Sequence, residues 1–143
     1  MRWSEWKRFS EVDWLTVPDK PGVYYIRCVD KSGHPCQITR LGGTDDEGIV
    51  YVGETGWNLR TRLKGFWQTA QDYRVDRHRA GWNFSYYGCA GIFPIKGLEF
   101  CYVSCKNKQQ SRNLEAECLW EYRKTNGFLD LPPLNFSSGK QDF

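Results

Sequence analysis

Three segments of the chain are rich in β-branched and aromatic residues, and each is bounded by glycine, proline or polar residues. They cover residues 23–29, 49–52 and 98–103, and the second ends at Gly53. Short apolar segments of this composition are typical of strands. The pattern therefore predicts three strands.

Between the second and third segments, the spacing of apolar residues becomes helical. Leu59, Leu63 and Phe66 lie at positions i, i+4 and i+7. This spacing predicts an amphipathic helix with Asn58 or Thr55 as its N-cap.

A polar, basic segment then extends to about residue 83, and we expect it to contain a second, short helix. After the third strand, Ser111 predicts the cap of a helix that runs to about Thr125 and ends at Gly127. Pro132 and Pro133 predict an extended stretch. This order of elements indicates an α+β fold, in which helices cover a small sheet.

Two regions lie outside this pattern. Residues 1–20 mix tryptophans with charges and predict an N-terminal arm, either a short helix or a packed segment. Residues 30–48 are rich in Gly, Asp and Pro, and predict a loop far longer than the ~2–5 residues of an ordinary hairpin. We interpret this loop as an insert in one domain of residues 21–136, followed by a tail of residues 137–143.

The composition, with 40% apolar and 16% aromatic residues among 143, excludes a disordered chain and fits one folded domain. The net charge of +3 does not by itself indicate nucleic-acid binding, and the distribution of the charge is more informative. Within residues 57–83, six basic and two acidic side chains leave a net charge of +4. Such a patch attracts polyanions. A solvated helix face is the alternative interpretation.

Six cysteines are present, but the first residues contain no apolar core of the kind that directs secretion. No stretch approaches the ~20 apolar residues of a membrane span. We therefore expect a reducing, cytoplasmic setting with free thiols and no membrane partner. The cysteine spacings do not favour a structural zinc site.

Two charged residues are predicted to face inward. Glu115 precedes Cys118, Leu119 and Tyr122 by three, four and seven residues, which places it on the apolar stripe of the last helix. A buried carboxylate needs a cation or donors. Arg62 leans toward the packed side of its helix in the same way. Either the two form a salt bridge, or they meet tyrosine hydroxyls and a substrate in one cleft.

Five short motifs follow one another in the order found in a known family. They are Gly22-Val23-Tyr24, Tyr51-Val52-Gly53, Asn58-Leu59-Arg60-Thr61-Arg62-Leu63, Leu114-Glu115-Ala116 and Pro132-Pro133-Leu134-Asn135. Together they resemble the GIY-YIG nuclease superfamily over residues 21–136. Either tripeptide alone is weak, whereas five motifs on the expected elements form a specific pattern.

The resemblance implies a three-stranded antiparallel sheet flanked by helices, and an endonuclease that hydrolyses DNA with one divalent cation, Mg²⁺ or Mn²⁺. Glu115 would be the metal ligand and Arg62 would hold the scissile phosphate. Tyr51, or Tyr24 beside it, would orient or deprotonate the attacking water. The second role requires Arg62 and the metal to lower a tyrosine pKa that is ordinarily ~10. Asn135 would position the chain end or the phosphate.

The chain departs from the family pattern at two positions. Phe66 stands where many members carry Tyr or His, so it cannot donate a hydrogen bond to the phosphate. His78 is the candidate replacement, unless it is an exposed surface residue. Glu54 follows Gly53 where some members have Lys, which excludes a lysine base there. We expect the further DNA contacts from Arg60, Lys64, Arg77, His78 and Arg79.

A catalytically inactive nucleic-acid-binding module with the same fold is the alternative, which Phe66 makes conceivable. Specificity for a DNA site is expected to come from the insert, from a homodimer or from a separate partner protein, because the chain has no length for an appended DNA-binding domain.

Overall fold

A computed structural model describes residues 2–136 of the protein. The predicted tail of residues 137–143 lies outside the described residues. Along the chain the elements are β1 (Lys7–Arg8), β2 (Gly22–Cys28), β3 (Ile38–Arg40), β4 (Gly43–Asp45), β5 (Ile49–Thr55), α1 (Leu59–Gln71), α2 (Arg79–Tyr86), β6 (Leu98–Ser104) and α3 (Lys108–Asn126). The predicted second short helix is α2.

The main sheet has the strand order β1-β6-β2-β5, and every pairing in it is antiparallel. The α+β prediction is confirmed, but the sheet has four strands instead of three. The fourth is the two-residue β1, which pairs with Phe100 and Glu99 of β6. At the centre of the sheet, Tyr24 lies between Gly53 of β5 and Tyr102 of β6.

Helices cover both faces of this sheet. Because successive side chains of a strand point to opposite faces, β2 serves two cores. Tyr24 and Ile26 belong to the core under α1 and α2. Val23 and Tyr25 belong to the core under α3. Burial on both faces explains why β2 is almost continuously apolar in the sequence.

The N-terminal arm is a packed segment and not a helix, apart from β1 and a 3₁₀ turn at Trp14–Thr16. Trp3 and Trp6 pack on the α3 face of the sheet, and Phe9 and Trp14 on the α1 face. The Phe9 ring stacks on Trp67 with centroids 5.3 Å apart, and Trp14 stacks on Phe100 at 5.7 Å. Large aromatic rings bury enough area to hold such a segment without regular structure.

The insert is not the irregular loop that we predicted. Its strands β3 and β4 form a separate two-stranded antiparallel sheet. Asp45, which is 3% exposed, accepts hydrogen bonds from the Tyr122 hydroxyl at 2.8 Å and from the backbone N–H groups of Glu47 and Ile49. The hairpin is therefore fixed to α3 by a buried carboxylate, a contact that its composition does not reveal.

The start of α1 follows the sequence prediction, and the ends of α3 follow it in part. Asn58 caps α1 by accepting from Thr61 N–H at 3.0 Å. The predicted cap of α3 at Ser111 is wrong, because the helix begins one turn earlier with Asn107 as its N-cap. Its predicted end at Gly127 is confirmed, since this glycine adopts φ of 72°, in the left-handed region that favours glycine.

Two further boundaries differ from prediction. Strand β5 does not end at Gly53 but continues to Thr55, because Gly22 and Val23 of β2 pair with its last residues. The two prolines do not force an extended stretch; they form part of a turn, in which Asn135 N–H donates to Pro132 O at 2.9 Å. None of the helices in residues 2–136 is both long and apolar enough to cross a membrane.

Candidate active site

The hydroxyl of Tyr24 is the centre of a group of polar side chains on the α1 face of the sheet. The residue is fully buried. Its Oη lies 2.9 Å from Nε2 of His78, and the Arg62 guanidinium also donates a hydrogen bond to it. Side chains from β2, α1 and the N-terminus of α2 thus meet at one oxygen.

His78 reaches this position because it is the N-cap of α2. Its Nδ1 accepts a hydrogen bond from the backbone N–H of Gly81 at 3.3 Å. Burial, and then the charge of Arg62, hold the pKa of His78 well below its usual value. The ring is therefore neutral at pH 7, and with Nδ1 as acceptor it carries its proton on Nε2. Nε2–H then donates to the Tyr24 hydroxyl.

The ring of His78 is enclosed by aromatic side chains and is 2% exposed. It meets Phe66 edge-on with centroids 5.4 Å apart, and Tyr51 at 5.9 Å. His78 is thus not the exposed surface histidine that the sequence left open. It lies against Phe66, which stands at the position where the family pattern has Tyr or His.

The two tyrosines of the site are protonated at neutral pH. Burial, with the charge of Glu115 adding to it, raises the pKa of Tyr51 to about 12. Burial raises the pKa of Tyr24 well above its usual value, with Tyr51 as the next cause. The charge of Arg62 lowers both pKa values, but this effect is smaller than the increase that burial causes. Arg62 thus acts in the expected direction, but without a bound metal the net pKa of each tyrosine is raised by burial.

Glu115 of α3 supplies a carboxylate to the same group. It is half-buried, whereas Glu117 and Glu121 of that helix are exposed. Its charge acts on the pKa of both Tyr24 and Tyr51. The carboxylate therefore stands near the two hydroxyls, although α3 packs on the other face of the sheet.

A second carboxylate, Glu54, was not included in the predicted site. Its Oε2 accepts a hydrogen bond from the Ser111 hydroxyl at 2.9 Å. Its charge raises the pKa of Tyr51. The signal that was available is its place directly after Gly53, but the sequence prediction ended the strand before it. Because β5 continues, Glu54 pairs with Val23 and lies on the α3 face.

The glycines of the two tripeptide motifs are required by close packing. A Cβ on Gly53 would lie 2.5 Å from Cζ and Oη of Tyr24 and 2.6 Å from Cε2 of Tyr51. A Cβ on Gly22 would collide with the backbone oxygen of Val103. The absence of a side chain at Gly53 allows both tyrosine rings to lie over β5.

Asn135 lies next to this group but binds the chain itself. Its Oδ1 accepts from Val52 N–H at 2.9 Å, and its Nδ2 donates to Val52 O at 2.9 Å. The side chain thus pairs with the free edge of β5 as a neighbouring strand would. Of the two predicted roles, the geometry places Asn135 in the first, which is to position the chain end.

The predicted DNA-contacting residues lie in three different places. Arg60 donates from Nε to Val17 O at 2.8 Å, so its guanidinium holds the N-terminal arm. Lys64 is exposed on α1. Arg77 and Arg79 are exposed on either side of the buried His78. The structure thus brings Tyr24, Tyr51, Arg62, His78 and Glu115 together. Asn135 lies next to this group, whereas the Arg60 side chain contacts the N-terminal arm instead.

The donor set fits a cation that is bound only partly by protein. Within residues 2–136, no group of three or more His, Cys, Asp or Glu side chains is arranged to hold a metal ion. Mg²⁺ is commonly held by one or two carboxylates, with waters and substrate phosphates as its other ligands. Glu115 of α3 and Glu54 of β5, whose charges both act on Tyr51, would supply such carboxylates. It does not meet the requirement of a zinc site with four protein ligands.

Comparison with known proteins finds no match to a protein-family model, to a curated protein or to a solved structure. The function must therefore be argued from the site itself and from the sequence motifs.

Proposed function

We propose that this protein is a divalent-cation-dependent endonuclease of the GIY-YIG type, which hydrolyses phosphodiester bonds of DNA by in-line attack of water. The observation that carries the proposal is the convergence of Arg62, His78 and Glu115 on the Tyr24 and Tyr51 hydroxyls. Ionisable groups from three helices act on these buried hydroxyls, and strongly shifted pKa values are typical of functional sites.

Arg62 holds the scissile phosphate in this proposal. One of its donors is used by the Tyr24 hydroxyl, which fixes the guanidinium against β2. The remaining donors are available to two oxygens of a phosphate. A guanidinium held in advance stabilises the charge that develops on the phosphorus oxygens without having to reorganise.

Tyr51 orients the attacking water through its hydroxyl. Its raised pKa favours this role over that of a general base, because a phenol with a pKa of about 12 is almost entirely protonated at neutral pH. Tyr24 and His78 lie deeper in the protein than Arg62 and Tyr51. The Nε2–H of His78 and the guanidinium of Arg62 both donate to Tyr24, so this tyrosine fixes the arginine in place.

Glu115, assisted by Glu54, would hold Mg²⁺ or Mn²⁺. When bound, such a cation neutralises phosphate charge and activates water. The DNA reaches the site over the basic surface of Lys64, Arg77 and Arg79.

Supercoiled plasmid DNA tests the proposal. We expect the wild-type protein to nick or linearise it with Mg²⁺ or Mn²⁺ and to be inactive with EDTA. Arg62→Ala is expected to lower the rate of DNA cleavage by at least about a hundredfold, which is the effect of losing one preorganised donor in other enzymes. Arg123→Ala, which removes an exposed arginine of α3, is the matched control and should cut normally. Binding without cleavage under every metal would favour the inactive module instead.

A further inference from the structure

Four aromatic rings form a surface on and before α2. Trp82 and Tyr86 stack with centroids 4.3 Å apart, and Tyr73 meets both rings edge-on. Tyr87 completes the group at the end of the helix. Tyr86 is 53% exposed and Tyr87 is 67% exposed. Aromatic rings that stack on each other and remain partly open to solvent mark an interaction surface.

A cavity of about 610 Å³ adjoins these rings. Its aromatic lining consists of Tyr73, Trp82, Tyr87 and Phe136. Three arginines and one aspartate also line it, so the cavity is positively charged. Arg74 is paired with Asp72, but Arg77 and Arg79 make no side-chain hydrogen bond or ion pair with the rest of residues 2–136. Aromatic faces beside arginines suit a ligand that is planar and anionic.

Asn83 lines the same cavity and has unused hydrogen-bonding capacity. It is 4% exposed, yet its Nδ2 has no hydrogen-bond partner within the described residues. A buried amide without partners destabilises a protein, so such groups are usually satisfied by water or a ligand. An asparagine amide carries both a donor and an acceptor, as do the edges of nucleobases.

The cavity adjoins the candidate active site at two points. Arg79 directly follows His78, whose Nε2 contacts Tyr24. Phe136 directly follows Asn135, whose side chain is bound to β5 at Val52. Along α2, Trp82 lies four residues from His78, which corresponds to ~6 Å of helix axis.

We propose that this surface binds unpaired bases of a nucleic-acid strand that leaves the candidate site. The aromatic rings stack on base faces, Asn83 hydrogen-bonds to a base edge, and Arg77 and Arg79 bind the backbone phosphates. A duplex does not satisfy this surface, because its base faces are covered by neighbouring base pairs. The substrate then has a single-stranded segment next to the cut, such as a flap or a branch. That last step rests on the proposed function, whereas binding of unpaired bases does not.

Fluorescence anisotropy tests the binding step, with labelled single-stranded oligothymidine and a blunt duplex of equal length, in EDTA so that no cleavage occurs. We expect tighter binding of the single strand. Tyr87→Ala should weaken it about tenfold, in the range found for lost base stacking, and Asn83→Ala should weaken it less. Trp120→Ala removes a 54% exposed tryptophan of α3 and should leave it unchanged. Equal binding of single strand and duplex, or equal binding by Tyr87→Ala and wild type, would overturn the inference.

A cleavage assay separates this inference from the proposed nuclease. A duplex with a single-stranded flap should be cut faster than a blunt duplex, and Tyr87→Ala should remove the difference. If both are cut equally and Tyr87→Ala has no effect, the nuclease stands and the base-binding surface is wrong. If nothing is cut but Tyr87→Ala still weakens single-strand binding, the surface stands and the nuclease is wrong. Because Tyr87 is mostly exposed, its removal should leave the fold intact, which circular dichroism checks.

Discussion

Two tyrosine hydroxyls are buried on opposite faces of the sheet, and each makes a short hydrogen bond to an ionisable side chain. On the α1 face, Tyr24 contacts Nε2 of His78 at 2.9 Å. On the α3 face, Tyr122 donates to Asp45 at 2.8 Å. The two pairs have similar lengths and burial, so neither property distinguishes them.

Their surroundings do distinguish them. The remaining hydrogen bonds of Asp45 are made by backbone N–H groups of Glu47 and Ile49, within the same segment. The Tyr24 hydroxyl instead receives donors from two helices, and the charges of Arg62 and Glu115 act on it. The charges of Arg40 and Asp130 also act on Tyr122, but the carboxylate that it contacts is completed by backbone groups of the hairpin itself. A pair of this kind holds a hairpin in place, whereas a hydroxyl that meets basic side chains from two helices is typical of a functional site.

The largest effect is expected from removing the two hydroxyls in turn. Tyr24→Phe takes the acceptor away from His78 and Arg62, so we expect DNA cleavage to fall on the order of a hundredfold. Tyr122→Phe should leave the cleavage rate of the folded protein unchanged, although it lowers stability. Single-turnover rates of both variants test this. If Tyr24→Phe cleaved DNA as fast as Tyr122→Phe, the two hydroxyls would not differ in function.

Asp45→Ala should have the largest effect on stability alone. It leaves the Tyr122 hydroxyl and the backbone N–H of Ile49 buried without their acceptor, which costs about 2–3 kcal/mol. Urea unfolding measures the change, and Asp46→Ala, at an exposed neighbouring position, is the control. If the two variants have the same stability, the carboxylate does not fix the hairpin.

The two regions differ in how much of their structure could be predicted from the sequence, and the reason is physical. Tyr24 and Tyr51 were predicted from the resemblance to the family motifs, and Arg62 from those motifs together with its helical spacing, which is a local pattern. The hairpin was not predictable, because Asp45 finds Tyr122 seventy-seven residues away. The contact of His78 with Tyr24 was missed for the same reason, since a capping histidine and a strand tyrosine are brought together only by packing. Glu54 was missed because the pairing of β2 extends β5 past Gly53.

Gly53→Ala tests the candidate site in another way, because it disturbs the site without removing any polar group. The added Cβ would lie within 2.6 Å of both tyrosine rings, so the rings must shift. Overpacking of this kind costs about 1–3 kcal/mol. We expect lower stability by chemical denaturation together with slower cleavage. Gly91→Ala, where a Cβ would meet nothing within 4 Å, is the matched control. An unchanged cleavage rate in Gly53→Ala would show that ring placement does not matter.

The smallest effect concerns pH. The pKa of His78 in the folded protein is well below the value of about 6.5 in the unfolded chain, so the unfolded chain binds more protons below that pH. Its contribution to stability is complete above pH ~6.5. It declines at lower pH by up to about 1.4 kcal/mol per pH unit, until the folded pKa is reached.

Urea unfolding at pH 7.5 and pH 5.5 measures this slope. The pH dependence should be weaker in His78→Gln than in wild type, whereas His34→Gln, at the exposed second histidine, should retain it. Identical pH dependence in all three proteins would mean that His78 is not a buried neutral imidazole.

The most direct test of the central claim compares two acids of one helix. Glu115→Gln removes the charge that faces the tyrosine hydroxyls, and Glu117→Gln removes an exposed charge two residues away. With Mg²⁺ and a flapped DNA substrate, we expect Glu115→Gln to lose cleavage by at least about a hundredfold, and Glu117→Gln to cut like wild type. Equal cleavage by the two variants would contradict the account, since the site would then work without its carboxylate.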